Sequence, residues 1–541
     1  MSTNTNLIRG TLTLTIATFV SKLLGLIYII PFTSIVGQEG IALYGFGFIP
    51  YTVLLSLSTL GIPMAVSKFI SKYQALGDYE TGFRLFKTGL ILMLINGIIV
   101  FILLYFLAPR LASLIINDPR QLQGNSLEDV IFTIRMVSFA LIIVPAMSMV
   151  RGFFQGQHLM TPTAVSQVIE QIVRIIFILS AAYIVIYYFK GNVGHAVGLA
   201  TFGAFVGAFG GIITLIYYWI KSRQNFLIKV RENKGTSNLN IIKMYKELIS
   251  YALPLSFIGL AIPLFQLIDL FTVNNILVSS GHANQNDAMI FFGIFTQTAH
   301  KIVLIPLALS TAFSITLLPL ITHHYIREEK GELIEKVNKT YQVILFFTLP
   351  AAIGMTVLSY PIFGAFYGLD SIVVGGEVLR YYGPMVILYS FFSVSAAILQ
   401  GLNKQKYAIY ALLIGLLFKL VLNNLLMHSL GEIGSIIATY IGYAMAILII
   451  MIAIKKEIKL SLSKVLIQNK LIIIFSTIMA VTLTVYYYLF QQYFVLDSWS
   501  NLLLCTIVGV VLGGVIYIIL CQRFSVIEQV VGKRKFLRKR S

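Results

Sequence analysis

Five basic side chains, Lys22, Arg135, Arg174, Lys301 and Lys419, lie inside long apolar stretches of this chain, and only two acids, Glu170 and Asp269, occupy comparable positions. Each charge at a bilayer centre costs roughly 3 kcal/mol, so five facing lipid would cost about 15 kcal/mol, as much as the whole stability of an ordinary domain. They are expected to face a polar interior. A surplus of positive charge in a low-dielectric interior favours an anionic ligand, one carrying a phosphate or a carboxylate.

The spacing suggests which of these cations are neutralised internally. Glu170 precedes Arg174 by four residues, so an ion pair on their own helix is expected, with Gln171 beside it. Lys419 has Asn423 at i+4, and Asp269 is the intramembrane carboxylate of its half of the chain, so a Lys419–Asp269 pair is expected. That leaves Lys22, in Ser21-Lys22-Leu23-Leu24-Gly25, and Lys301, in Ala299-His300-Lys301, as the anion-binding pair. The plainer reading is that each lysine snorkels or bonds a nearby carbonyl, but snorkelling from mid-span is difficult. Arg135 sits near the outer end of its span, where snorkelling is easy.

The elements that position these residues are membrane helices. The chain is 58% hydrophobic and 11% charged with mean hydropathy +0.87, against about a quarter charged in soluble domains, which predicts an all-α polytopic membrane protein. Fourteen apolar spans are expected, with both termini cytoplasmic, because the loop lysines and arginines alternate between the two sides. Only Arg110, Arg120, Lys190 and Arg380 fall outside in that scheme. The net charge of +19 is therefore chiefly a topology signal with some attraction to anionic membrane lipid, and no nucleic-acid partner is needed to explain it. Cys505 and Cys521 lie too far apart on one helix to pair.

The chain also repeats itself. Phe154-Gln155-Gly156 followed by Arg174 is echoed by Leu399-Gln400-Gly401 followed by Lys419 at the same spacing, and Ser58-Thr59 is echoed by Ser310-Thr311. The expected organisation is a lobe of six spans at 1–220, a cytoplasmic linker at 221–246, a second six-span lobe at 247–454, two appended spans at 455–522 and a basic tail at 523–541. Lobes with an even number of spans share an orientation, as in transporters built from parallel repeats, where the substrate site lies at mid-membrane between the lobes. Gly203, Gly207 and Gly211 form a small-residue stripe expected to serve helix packing. His323 and His324 are adjacent, but no metal-ligand spacing accompanies them, and no nucleotide fingerprint or nucleophile elbow occurs. No metal, cofactor or catalytic residue is expected.

These features resemble the multidrug/oligosaccharidyl-lipid/polysaccharide (MOP) exporter superfamily. Within it, Ser21-Lys22-Leu23-Leu24-Gly25 and the stretch from Ala299-His300-Lys301 to Leu317-Leu318-Pro319 are similar to motifs of the MurJ-like lipid II flippases, with lysine where that family has arginine. The overall texture resembles the Gram-positive branch of polysaccharide biosynthesis, or stage V sporulation protein B-like, proteins. The chain departs from the pattern at Tyr28, where a further arginine is expected, and at 50–63, which carries no charge. Some relatives hold a sodium ion at positions that correspond to Asp269, Lys419, Asn423 and Thr439, so here an ammonium stands where that ion would.

The resemblance implies a flippase that carries lipid II, or another undecaprenyl-pyrophosphate-linked glycan, from the cytoplasmic to the outer leaflet of the cell membrane. Lys22 and Lys301 would hold the pyrophosphate, Arg174, Glu170, Asp269, Lys419, Asn423 and Thr439 would form the internal ion-pair network, and the membrane potential or an ion gradient would drive the cycle. Cell-wall synthesis machinery is the expected protein partner. A drug or cation antiporter would favour unpaired acids over bases. A membrane-embedded glycan polymerase or ligase would be expected to carry catalytic groups on larger outer loops than 109–129.

Overall fold

A backbone that crosses lipid must satisfy its own N–H and C=O groups, and a helix does so within one segment. The computed structural model describes residues 2–59, 61–116, 126–231, 246, 256–460 and 469–531, and every regular element among them is a helix. Twelve described helical segments are long and apolar enough to span a bilayer, and a bent pair, Ile372–Tyr382 with Met385–Gly401, makes a thirteenth. The longest, Ile16–Thr59, has 44 residues, about 66 Å if straight and so about twice a bilayer core. It is interrupted at Gly37 (φ 70°, ψ 178°), a left-handed φ that glycine tolerates. Divided there, it brings the spans to the fourteen expected.

In chain order the helices are α1 (Ser2–Ile27), α2 (Ile29–Thr59), α3 (Ile62–Ala75), α4 (Tyr79–Ile115), α5 (Leu127–Ser138), α6 (Ala140–Gly156), α7 (Met160–Tyr183) and α8 (Val193–Arg231). There follow α9 (Ala261–Ser279), α10 (Gln285–Gly293), α11 (Ala299–Ile326), α12 (Lys330–Val357), α13 (Ser359–Tyr367), α14 (Ile372–Tyr382) and α15 (Met385–Gly401). The chain continues through α16 (Gln405–Leu430), α17 (Glu432–Ile458), α18 (Lys470–Tyr493), α19 (Trp499–Arg523) and α20 (Val526–Val531). Loop chemistry sets several ends. Ser126 and Asp129 form a reciprocal capping box at the start of α5, and Asp78 caps α4. The 43° bend between α14 and α15 lies at Pro384, which has no N–H to give to the preceding turn.

Two compact units result: Met1–Asn275 with Ala283–Gly293, and Ile276–His282 with Ile294–Ser541. Of the segment 221–246, expected as the link between lobes, residues 221–231 continue α8 and 232–245 lie outside the described residues. In the first unit α10 packs on α2, where Gly293 admits the backbone of Ala42, 2.8 Å from where a Cβ would sit, and Phe292 meets the ring of Phe46 at 4.9 Å. In the same unit α7 packs along α8, and in the second α16 packs along α17. Both pairs approach closely through glycine. A Cβ on Gly207 would lie 2.7 Å from the Cβ of Arg174, and one on Gly415 would lie 2.6 Å from the carbonyl oxygen of Gly442. The stripe at Gly203, Gly207 and Gly211 thus serves the packing expected of it.

Candidate functional site

In the first unit α7 carries its polar residues, Gln167, Glu170, Gln171 and Arg174, at helical spacing. One flank meets the glycines of α8. The other meets α1, where the Thr18 hydroxyl donates to Gln167 Oε1 at 3.1 Å and Gln171 Oε1 lies 3.7 Å from the Cβ position of Gly25. Lys22 lies between Thr18 and Gly25 on that helical face; it is exposed, with no hydrogen bond or ion pair to any described residue.

Arg174 is not paired with Glu170, contrary to the expectation from their spacing. Glu170 Oε2 instead accepts from Arg151 Nη2 at 2.7 Å, and Arg151 Nε donates to the Ser166 hydroxyl at 3.0 Å. Arg151 belongs to the last turns of α6, and Gly211 leaves room for its guanidinium. A bond between helices with a second anchor on Ser166 fixes that guanidinium in a way a flexible pair on one helix does not.

Arg174 is consequently left among aromatic rings. Its Nη2 donates to the Tyr44 hydroxyl at 3.3 Å, which also accepts from the Tyr28 hydroxyl at 2.8 Å. Its Cζ stands 5.2 Å from the centroid of Phe48, and Phe48 stacks on Tyr44. Its Nε is buried without a partner. A guanidinium has five N–H donors, so one long bond to a neutral phenol and one cation–π contact leave most of its capacity unused. Tyr28, where the family pattern led one to expect arginine, supports this cage. An aromatic residue in an apolar run reads as packing, which is why Tyr28, Tyr44 and Phe48 were not legible as a site.

In the second unit Lys419 is fully buried, and its ammonium faces four oxygens: Asn423 Oδ1 at 2.9 Å, Thr439 Oγ1 at 2.8 Å, and the Ser435 carbonyl and hydroxyl at 2.9 and 3.1 Å. Three N–H donors among four acceptors leave nothing over for a ligand. The expected companions Asn423 and Thr439 are therefore found together, with Ser435 added. Asp269 is buried in the first unit. Arg135 Nε donates to the Tyr105 carbonyl at 3.5 Å with its guanidinium over the Tyr105 ring, a local arrangement in keeping with a structural role.

Lys301 is partly buried on α11, directly after a π-helical turn at Ile294–Thr298, a distortion that often accompanies function. Its neighbour His300 turns into the unit, where Nδ1 lies 2.8 Å from the Tyr382 hydroxyl, itself 2.5 Å from that of Tyr389. On the same helix Ile302, Ile305 and Pro306 line an apolar groove of about 640 Å³, closed by Pro350 of α12 and Gly509 and Gly513 of α19. The appended spans α18 and α19 thus build a wall of this groove, a use their sequence did not announce.

The chain matches the family model described as polysaccharide biosynthesis protein over residues 7–325, and a MatE model over 254–425. It is 41% identical over 534 residues, 98% of each chain, to the lipid II flippase MurJ of Bacillus subtilis. The chain belongs to the polysaccharide biosynthesis protein family. Stage V sporulation protein B of Bacillus subtilis is 26% identical to it over 462 residues, 84% of this chain and 85% of that one. The fold agrees: a solved structure of lipid II flippase MurJ in an inward closed conformation superposes with TM-score 0.67 at 17% identity, covering 94% of this chain and 98% of that one. A MATE transporter of the MOP superfamily superposes with TM-score 0.64 at 17% identity, covering 81% and 94%. This family member is thus a membrane transporter whose described residues form the all-α fold shared by MurJ and the MATE transporters.

Proposed function

We propose that this chain flips lipid II from the cytoplasmic to the outer leaflet of the cell membrane. The observation that carries the reading is the full-length 41% identity to a chain of that name. The site chemistry supports it. A pyrophosphate needs cations that are not already neutralised, and Arg174 offers unused N–H donors while Lys22 is exposed and unpaired among the described residues. Arg174 thereby joins Lys22 and Lys301 as a residue for the anionic head. The polyprenyl chain requires an apolar surface, and the groove beside Lys301 supplies one.

The cycle follows from these assignments. The head group leaves the cytoplasmic leaflet, exchanges water for the cationic side chains, and is released outside while its chain stays in apolar surroundings. Both termini remain cytoplasmic, lobes 1–220 and 247–454 exchange conformations, and the membrane potential or an ion gradient sets the direction. Depletion of the protein, with no functional substitute present, should stop lipid II from becoming accessible to an external probe. Normal outward appearance under those conditions would overturn the assignment. Re-expression of Lys22→Gln/Lys301→Gln at normal membrane abundance should fail to restore it, whereas Lys→Arg at either position should restore it, because positive charge is retained.

A further inference from the structure

His323 and His324 end α11, and the chain turns at Arg327–Glu329 before α12 begins. The turn is tightly held: the backbone N–H groups of Arg327, Glu328 and Glu329 bond back to the carbonyls of His323, Tyr325 and His324, with Glu328 at a left-handed φ of 57°. Its effect is to fold Glu329 back over the helix end. His324 Nδ1 lies 2.6 Å from Glu329 Oε2, and the His323 ring stands edge-on to that of His324 with centroids 5.3 Å apart. The sequence spacing showed two histidines and no third ligand; the turn supplies one.

We infer that His323, His324 and Glu329 form a binding site for a divalent transition-metal ion. One donor atom from each lies within 4.8 Å of the others, while tetrahedral zinc with bonds near 2.0–2.1 Å sets its ligands about 3.4 Å apart. Small rotations of three side chains at a helix end close that difference. Two imidazoles and a carboxylate suit zinc, cobalt or nickel over magnesium or calcium, which require oxygen-rich shells. His323 is exposed, leaving a coordination position open to water. Arg327 Nη1 lies 3.9 Å from Glu329 Oε1, so this like charge faces the other carboxylate oxygen and leaves Oε2 to the metal. A bound ion would fasten the end of α11, the helix that bears Lys301, to the turn that opens α12.

The test uses the full chain purified without a polyhistidine tag, freed of metal by chelation, and titrated with cobalt while its visible spectrum is recorded. Wild type should develop the intense bands of four-coordinate cobalt at one equivalent, and zinc should displace them. His323→Ala/His324→Ala should lose the signal, and Glu329→Gln should weaken binding. All three proteins should melt at the same temperature in chelator, which separates loss of a ligand from loss of fold. A wild-type spectrum that stays that of hydrated cobalt, or that matches the double variant, would overturn the site; undiminished binding by Glu329→Gln would remove Glu329 as the third ligand.

Discussion

Arg174 and Lys419 occupy matching places in the internal repeat, each on the first helix of a glycine-packed pair, yet they are treated oppositely. Lys419 has no exposed surface and four oxygen acceptors within 3.1 Å. Arg174 has one bond at 3.3 Å to a neutral phenol, an aromatic face and an orphaned Nε. A buried N–H without an acceptor costs about 1–3 kcal/mol, a loss that an arriving oxyanion would recover. Under the proposed function, the difference separates a cation that holds the structure from one held ready for a ligand, although position in the repeat and charge are the same.

Arg174→Gln should abolish flipping, measured by complementation in a depletion strain, while membrane abundance and melting temperature stay at wild-type values or rise, because an undersatisfied charge has been removed. Lys419→Met should do the reverse. It removes the ammonium donor from Asn423 Oδ1 and from the Ser435 and Thr439 hydroxyls, while the Ser435 carbonyl keeps the Thr439 hydroxyl at 2.9 Å, and should lower the melting temperature in detergent, at a cost of about 1–3 kcal/mol, while folded protein keeps its flipping activity. If the ammonium fills a cation's place, Lys419→Asn should recover stability when sodium is added and wild type should not respond.

Smaller effects sharpen the same contrast. Arg151→Gln leaves Glu170 without its partner and should cost more than Arg151→Gln/Glu170→Gln, with a coupling of about 1–3 kcal/mol in a double-mutant cycle of melting free energies. Additive losses would show that Glu170 is not held by Arg151. Arg135→Gln, whose guanidinium bonds only weakly to the Tyr105 carbonyl, should grow and melt like wild type.

The membrane fold was legible because apolar length is a property of segments, independent of where the segments end up. The Lys419 cluster was partly legible: Asn423 lies one turn away on the same helix, while the Ser435 carbonyl is a backbone group that no side-chain pattern records. The partner of Arg174 was misread because i,i+4 spacing makes a contact available without making it the best one, and Arg151 reached Glu170 from another helix. The aromatic cage and the apolar groove were hidden for a common reason. Tyr44, Phe48, Pro350 and Gly513 have the same appearance in a membrane sequence whether they pack against protein or line a site.

The assignment of roles to Arg174 and Lys419 is tested most directly by titrating lipid II onto purified wild type, Arg174→Gln and Lys419→Met, with each variant below its melting temperature. Arg174→Gln should lose binding and Lys419→Met should bind as wild type does. Retained binding by Arg174→Gln, with loss confined to Lys419→Met, would contradict the account.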